Sequence, residues 1–95
     1  MKEYIKETLY ESSGLLIGKN GKGSIILGQG NSWIVLDRID VKHIAYSLSQ
    51  QKEKDTFDGF NFLKENKNIR INQHGHSISM DRLVFQQELQ CNSNI

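Results

Sequence analysis

The chain has 95 residues, of which 37% are hydrophobic and 24% are charged, and its formal net charge at pH 7 is +1. These values are typical of one small globular domain and argue against a disordered chain. A net charge this close to zero also argues against a strongly basic nucleic-acid binder and against an acidic mimic of DNA.

The first predicted element, residues 2–12, is either a helix or an edge strand. Ile5 and Leu9 stand one helical turn apart, which is compatible with a helix. The same two residues also fall on one face of a strand, whose side chains alternate with a period of two. We favour the strand for that reason.

Residues 14–39 align with residues 59–83 when one residue is skipped at Gly23. The eight identical pairs are Gly14/Gly59, Lys19/Lys64, Lys22/Lys67, Ile25/Ile69, Gln29/Gln73, Ile34/Ile78, Asp37/Asp81 and Arg38/Arg82. Chance would give roughly one or two, so the sequence predicts an internal repeat. We expect one domain, 1–95, with copies at 14–50 and 59–92 joined by a polar linker at 51–58.

Alternating apolar residues predict three strands in each copy. The first copy has the pairs Leu15/Ile17, Ile25/Leu27 and Ile34/Leu36, and the second has Phe60/Phe62, Ile69/Ile71 and Ile78/Met80. Glycine and asparagine separate these pairs, and both residues accept the positive φ values of tight hairpins. Each copy is therefore predicted to be an antiparallel three-stranded meander.

Each meander is followed by a predicted helix, with Asp37 and Asp81 placed as the N-caps. The apolar stripe of the first helix consists of Val41, Ile44, Ala45 and Leu48. The second helix, roughly 82–90, is expected to be shorter and to bury Leu83, Phe85 and Leu89. The predicted fold is α+β, an internally duplicated βββα unit with mainly antiparallel sheet and two helices packed on one face.

Paired meander-then-helix units resemble the general architecture of the whirly and PUR-repeat single-strand binders. Units in those families usually have four strands, whereas three are predicted in each copy of this chain. The resemblance concerns the order of elements and rests on no residue motif.

The single cysteine, Cys91, cannot form an intramolecular disulfide, which is typical of a reducing compartment. The first twenty residues alternate charges too densely for a signal peptide. No apolar run is long enough to span a bilayer. We therefore expect a cytoplasmic protein without a membrane partner.

Two patterns only superficially suggest ligand sites. The loop at 18–24 lacks the lysine that precedes serine in a phosphate-binding loop, and a strand follows it. His74 and His76 are fewer than the three or four ligands of a zinc site, and Cys91 has no C-x-x-C partner. We expect a hairpin tip, solvated turn histidines, no cofactor and no metal. Because no convergent acid–base set is found, we do not expect an enzyme.

The candidate nucleic-acid-binding residues are Lys19, Lys22, Lys64 and Lys67, at equivalent places on the first hairpin of each copy, and Arg70 on the adjoining strand. Paired basic hairpins can grip the phosphates of a nucleic acid. The sequence therefore predicts a small nucleic-acid-binding or regulatory protein. The alternative for these lysines is that they keep hairpin tips and sheet edges soluble.

Trp33 opens the third strand of the first copy, where the second copy has Ser77. A lone tryptophan is either a core residue, which we favour, or an exposed anchor for a protein partner. The alternative function is therefore a protein-binding module or inhibitor, of the type that phages and mobile elements encode. Free sheet edges would also allow a homodimer.

Overall fold

The computed structural model describes residues 4–12 and 14–90. The first sheet consists of β1 (Glu7–Ser12), β2 (Leu15–Lys19), β3 (Ile25–Gln29) and β4 (Ser32–Leu36), and helix α1 (Arg38–Ser49) follows it. The second sheet consists of β5 (Lys54–Phe57), β6 (Phe60–Glu65), β7 (Asn68–Gln73) and β8 (His76–Asp81). Helix α2 (Arg82–Val84) comes next and continues as a π-helix, Phe85–Gln90. The fold is therefore α+β and mostly antiparallel sheet.

Every strand pairs with its neighbour in sequence, as a meander requires. In the first sheet Leu27 lies opposite Ile17 on one side and Ile34 on the other. In the second sheet Ile71 occupies the corresponding central position. These residues are buried, so the alternation read from the sequence gives the correct inward face.

Each sheet has four strands where the sequence predicted three. β1 confirms the strand expected within residues 2–12, and β5 lies inside the segment 51–58 that the sequence suggested was a linker. β5 stands at the edge of its sheet and pairs with β6 alone. Its Phe57 ring stacks on Phe60 at 4.9 Å between centroids, and its Asp55 accepts a hydrogen bond from Ser47 Oγ.

Both helices begin directly after the predicted cap residues. At α1 the Asp40 carboxylate accepts the backbone N–H of Asp37 at 2.9 Å. At α2 the Asp81 carboxylate accepts the N–H of Leu83 at 2.8 Å. These contacts satisfy polar groups that a helix end leaves unpaired.

The expectation that Leu83 is buried is wrong, because its side chain is 63% exposed. The second helix buries Phe85 and Leu89, which stand four residues apart and share a face. Leu83 lies two residues before Phe85, about 200° around a helix, and so faces away from the core. Ile39 stands two residues before the buried Val41 and is 57% exposed for the same reason.

The buried residues form one core to which both sheets and both helices contribute. Phe62 and Phe85 are among the largest fully buried side chains, and α1 contacts the π-helix. Ile26 is also buried but lies outside this cluster. Near it, on β2, a Cβ added to Gly18 would lie 2.5 Å from Ile5 Cγ2 and 3.0 Å from the carbonyl oxygen of Glu7. The chain at residue 5 therefore crosses closely over β2.

The two sheets meet along β4 and β8, where two glutamine side chains bind backbone groups of the opposite sheet. Gln29 Nε2 donates to the carbonyl of Ser79 at 2.9 Å, and Gln29 Oε1 accepts its N–H at 3.0 Å. Gln73 makes the same two bonds to Val35, at 2.9 and 3.0 Å. We call these four residues the seam. Its contacts are reciprocal, because each sheet supplies one glutamine and receives the other.

Candidate functional site

The predicted lysines lie on the β2–β3 and β6–β7 hairpins. Lys19 and Lys64 are half-buried within strands β2 and β6, whereas Lys22 and Lys67 are exposed in the turns. In the first turn Asn20 Oδ1 accepts the N–H of Lys22 at 2.9 Å, and a strand follows. The loop is therefore the hairpin tip that the sequence predicted.

In each sheet the lysine-bearing turn lies against the start of the following helix. Ser24 Oγ donates to the carboxylate of Asp37 at 2.8 Å in the first sheet. The N–H of Arg82 donates to the carbonyl of Lys67 at 2.8 Å in the second. Lys22 and Lys67 therefore lie beside the first turn of α1 and of α2.

An open groove of about 460 Å³ separates the β2–β3 turn from α1. Its lining residues are Lys22, Gly23, Ser24, Asp37, Arg38, Ile39 and Lys42. We call it the basic groove, because it contains three cationic side chains and one carboxylate. None of the three cations forms a hydrogen bond or an ion pair within residues 4–12 and 14–90.

Two of the cations, Arg38 and Lys42, were not identified from the sequence. They stand at positions i and i+4 of α1 and so lie on one side of the helix. This spacing was a readable signal once the helix had been placed at 38–49. The start of α1 adds partial positive charge from the helix dipole, which Asp37 and Asp40 partly offset.

Arg70 does not line the basic groove, and its guanidinium is hydrogen-bonded within the second sheet. Its Nε donates to Glu65 Oε1 at 3.0 Å, and its Nη1 donates to Ser77 Oγ at 3.0 Å. The guanidinium therefore braces β7 against its neighbours. Part of the side chain is still exposed.

Trp33 is 42% exposed, so the expectation that it belongs to the core is wrong. It lies opposite Gly28 in the register of β3 and β4, on the face of β4 away from the buried Ile34 and Leu36. The Trp33 and His76 rings stand 6.2 Å apart between centroids, tilted by 54°. A long hydrogen bond of 3.4 Å joins the N–H of Trp33 to His76 Nδ1.

A pocket of about 390 Å³ opens beside Trp33. The residues that line this tryptophan pocket are Trp33, Val35, Gln73, His74 and His76. A neighbouring pocket of about 300 Å³ shares Gln73 and His74 with it, and we call it the amide pocket. The amide pocket is lined by Thr56, Phe57, Gly59, Phe60, Asn61, Asn72, Gln73, His74 and Gly75.

The two turn histidines have different environments. His74 is exposed and has a φ of 49°, and Gly75 has a φ of 81°, which is typical of a tight two-residue hairpin loop. His76 is half-buried and contacts Trp33, so it is not the solvated turn histidine that was expected. Within the described residues no three His, Cys, Asp or Glu side chains come together as metal ligands. Cys91 lies outside the described residues.

Asp55 is a carboxylate with a clear structural role. It accepts hydrogen bonds from Lys52 Nζ at 3.1 Å, Ser47 Oγ at 3.0 Å and the N–H of Thr56 at 2.9 Å. These bonds, chiefly the one from Lys52, hold the pKa of Asp55 below its usual value. The carboxylate thereby ties β5 to the end of α1.

No protein-family model matches the chain, and comparison with curated proteins and with solved structures also gives no match. Among the described residues no helix is both long and apolar enough to cross a membrane.

Proposed function

We propose that this protein is a non-enzymatic binding protein that holds the phosphate backbone of a nucleic acid in the basic groove. The observation that carries the proposal is the convergence of Lys22, Arg38 and Lys42 around one open groove. The three cations come from two separate elements, a hairpin and a helix, which the fold brings together. Lysine and arginine side chains are the usual protein ligands of phosphate.

The balance of charge in the groove favours an anionic ligand. Asp37 is the one acidic residue in its lining, and Ser24 Oγ already donates to its carboxylate. The three cations leave a net charge of two positive units. Because these cations lack partners among the described residues, a phosphate would not have to displace an existing ion pair.

The second copy supplies a weaker version of the same surface. Lys67 and Arg82 correspond to Lys22 and Arg38, but Gln86 replaces Lys42. The carbonyl of Lys67 binds the N–H of Arg82, so hairpin and helix start are again adjacent. We expect this region to contribute a secondary phosphate contact.

Fluorescence anisotropy with labelled single- and double-stranded DNA and RNA, at two salt concentrations, tests the proposal. We expect binding that weakens as salt rises, because bound phosphates release counterions. Lys42→Glu should weaken binding to every oligonucleotide. Loss of one phosphate contact should also make the plot of log affinity against log salt shallower, by about one unit of slope.

Lys54→Glu is the matched control, because Lys54 is also exposed and the change in charge is the same. Lys54 lies on β5 and outside the lining of the basic groove. Equal weakening by both variants would show a general charge effect and contradict the proposed site. No binding at low salt would contradict the function itself.

We also propose that the chain is internally duplicated, with a meander and a helix in each copy. Both helices would pack on one face of the paired sheets. The reciprocal contacts of the seam support the duplication. Gln29 and Gln73 are an aligned identical pair, and their targets Ser79 and Val35 occupy equivalent positions as well. Two related units packed about a twofold axis would produce such reciprocal contacts.

A protein-binding module or inhibitor is the second candidate function, and the exposed Trp33 favours it. Tryptophan is enriched among the residues that dominate protein interfaces. Binding to a protein partner that Trp33→Ala abolishes, and that salt does not change, would support this candidate. Homodimerisation through the edge strands β1 and β5 would appear as a concentration-dependent mass in sedimentation.

A further inference from the structure

We infer that the tryptophan pocket takes an unpaired base of a single-stranded nucleic acid, which stacks on Trp33. This inference rests on the proposed function, because the basic groove supplies the phosphate contacts. It adds a preference for single strands that the basic groove alone would not give. Stacking on aromatic side chains is a common way in which proteins hold unpaired bases.

The exposure of Trp33 is not required by folding. Ser77 occupies the equivalent position of the second copy, and the strand there forms with a small polar side chain. Trp33 lies on the face of β4 away from the buried Ile34 and Leu36, so its indole stands outside the core and lines the pocket. A planar ligand can contact this surface without any rearrangement of the core.

The lining of the pocket favours a base over a phosphate. Neither the tryptophan pocket nor the amide pocket has a lysine, arginine, aspartate or glutamate in its lining. His76 adds an imidazole ring to the lining, and its Nδ1 accepts the N–H of Trp33 at 3.4 Å. An aromatic surface beside polar ring nitrogens matches a base with polar atoms on its edge.

The amide pocket extends this surface toward a second base. Gln73 and His74 line both pockets, so the two spaces are adjacent. Asn72 Nδ2 donates to Asn61 Oδ1 at 2.9 Å, which leaves the Asn61 amide group and the Asn72 carbonyl for further bonds. Side-chain amides of this kind can hydrogen-bond both donors and acceptors on base edges.

The location of the pocket fits a ligand that also contacts the basic groove. Trp33 and Leu36 are three residues apart on β4, about 10 Å along an extended strand. Asp37, in the lining of the basic groove, directly follows Leu36. A short oligonucleotide can span this length. A duplex cannot place a base on Trp33 without unpairing it, so duplex would bind at the basic groove alone.

The intrinsic fluorescence of Trp33 tests the inference directly, because Trp33 is the single tryptophan of the chain. The ligands are a short oligothymidylate, an abasic oligonucleotide of the same length and a duplex. We expect all three to bind by anisotropy, and we expect only the oligothymidylate to quench Trp33. Trp33→Ala should reduce oligothymidylate affinity by about ten- to a hundredfold and leave duplex affinity unchanged.

Trp33→Phe keeps an aromatic face and should retain most of the single-strand preference, and thermal melts of both variants check folding. Salt-dependent binding that Lys42→Glu weakens, with unchanged Trp33 emission, would overturn this inference and leave the proposed function intact. The same result would favour a role for the exposed indole in binding a protein partner. Equal quenching by the abasic strand would also overturn the stacking inference. No anisotropy change with any oligonucleotide would overturn both proposals.

Discussion

Gln29 binds both backbone polar groups of Ser79, donating to its carbonyl and accepting from its amide. β8 has β7 as its sheet partner on one side, and the glutamine takes the place of a partner strand on the other. Gln73 does the same for Val35 of β4. Two side-chain amides therefore satisfy backbone groups that would otherwise remain unpaired where the sheets meet.

Replacing Gln29 by glutamate should lower the free energy of unfolding by about 1–3 kcal/mol. A carboxylate can still accept the N–H of Ser79 but has no proton to donate to its carbonyl. Gln73→Glu should have a similar effect through Val35. Urea denaturation measures both changes. Gln87→Glu, at an exposed position of the π-helix, is the control and should change stability by less than about 0.5 kcal/mol.

Gly18→Ala should destabilise the protein by about 1–3 kcal/mol, because the new methyl group would overlap Ile5 Cγ2 and approach the Glu7 carbonyl. Ile5→Ala removes the closer of these contacts. In a double-mutant cycle we expect the two changes to be less harmful together than the sum of the single effects. Strict additivity would contradict the close crossing of residue 5 over β2.

Phe85→Ala should cost about 3–5 kcal/mol of unfolding free energy, because Phe85 is fully buried in the shared core. Leu83→Ala should cost less than about 0.5 kcal/mol, because Leu83 faces solvent. Chemical denaturation of this pair tests which face of the second helix packs against the core. Similar losses from both variants would contradict the orientation of the second helix.

Asp55→Asn should produce a pH-dependent loss of stability. The folded-state pKa of Asp55 lies below its unfolded value, so its contribution is present above the unfolded pKa, about 4. That contribution is lost as pH falls through the lower folded-state pKa. The difference in unfolding free energy between wild type and variant should therefore be constant near neutral pH and shrink in acid. A difference that does not change with pH would contradict the hydrogen-bonded carboxylate.

The strands β2 to β4 and β6 to β8 could be predicted because their buried residues recur every second position, as Leu15 and Ile17 do. β5 was harder to detect, because Phe57 is its one large apolar residue. Leu83 was misplaced because an apolar residue near a helix start was assumed to share the face of Phe85. Trp33 was misplaced although the alternation that turns Ile34 and Leu36 inward already puts Trp33 on the opposite face of β4.

The candidate site was predictable only in part. Lys22 was identified from its place on the hairpin, but the groove also requires the side of α1 that carries Arg38 and Lys42. A hydrogen bond between Ser24 and Asp37, 13 residues apart, accompanies that packing. The tryptophan pocket requires two separate sheets to meet, and no local pattern indicates which strands do so.

The meander has a consequence for the order of folding. All six strand pairs join strands that are consecutive in the chain, so each sheet can form from local contacts with little loop-closure entropy. The contacts of Gln29 and Gln73 join residues that are 50 and 38 positions apart, and they can form only when both sheets exist. The amides of Val35 and Ser79 should therefore gain protection from solvent exchange late in refolding. In the native protein, exchange of these two amides should reveal any opening that separates the two sheets while each sheet stays folded.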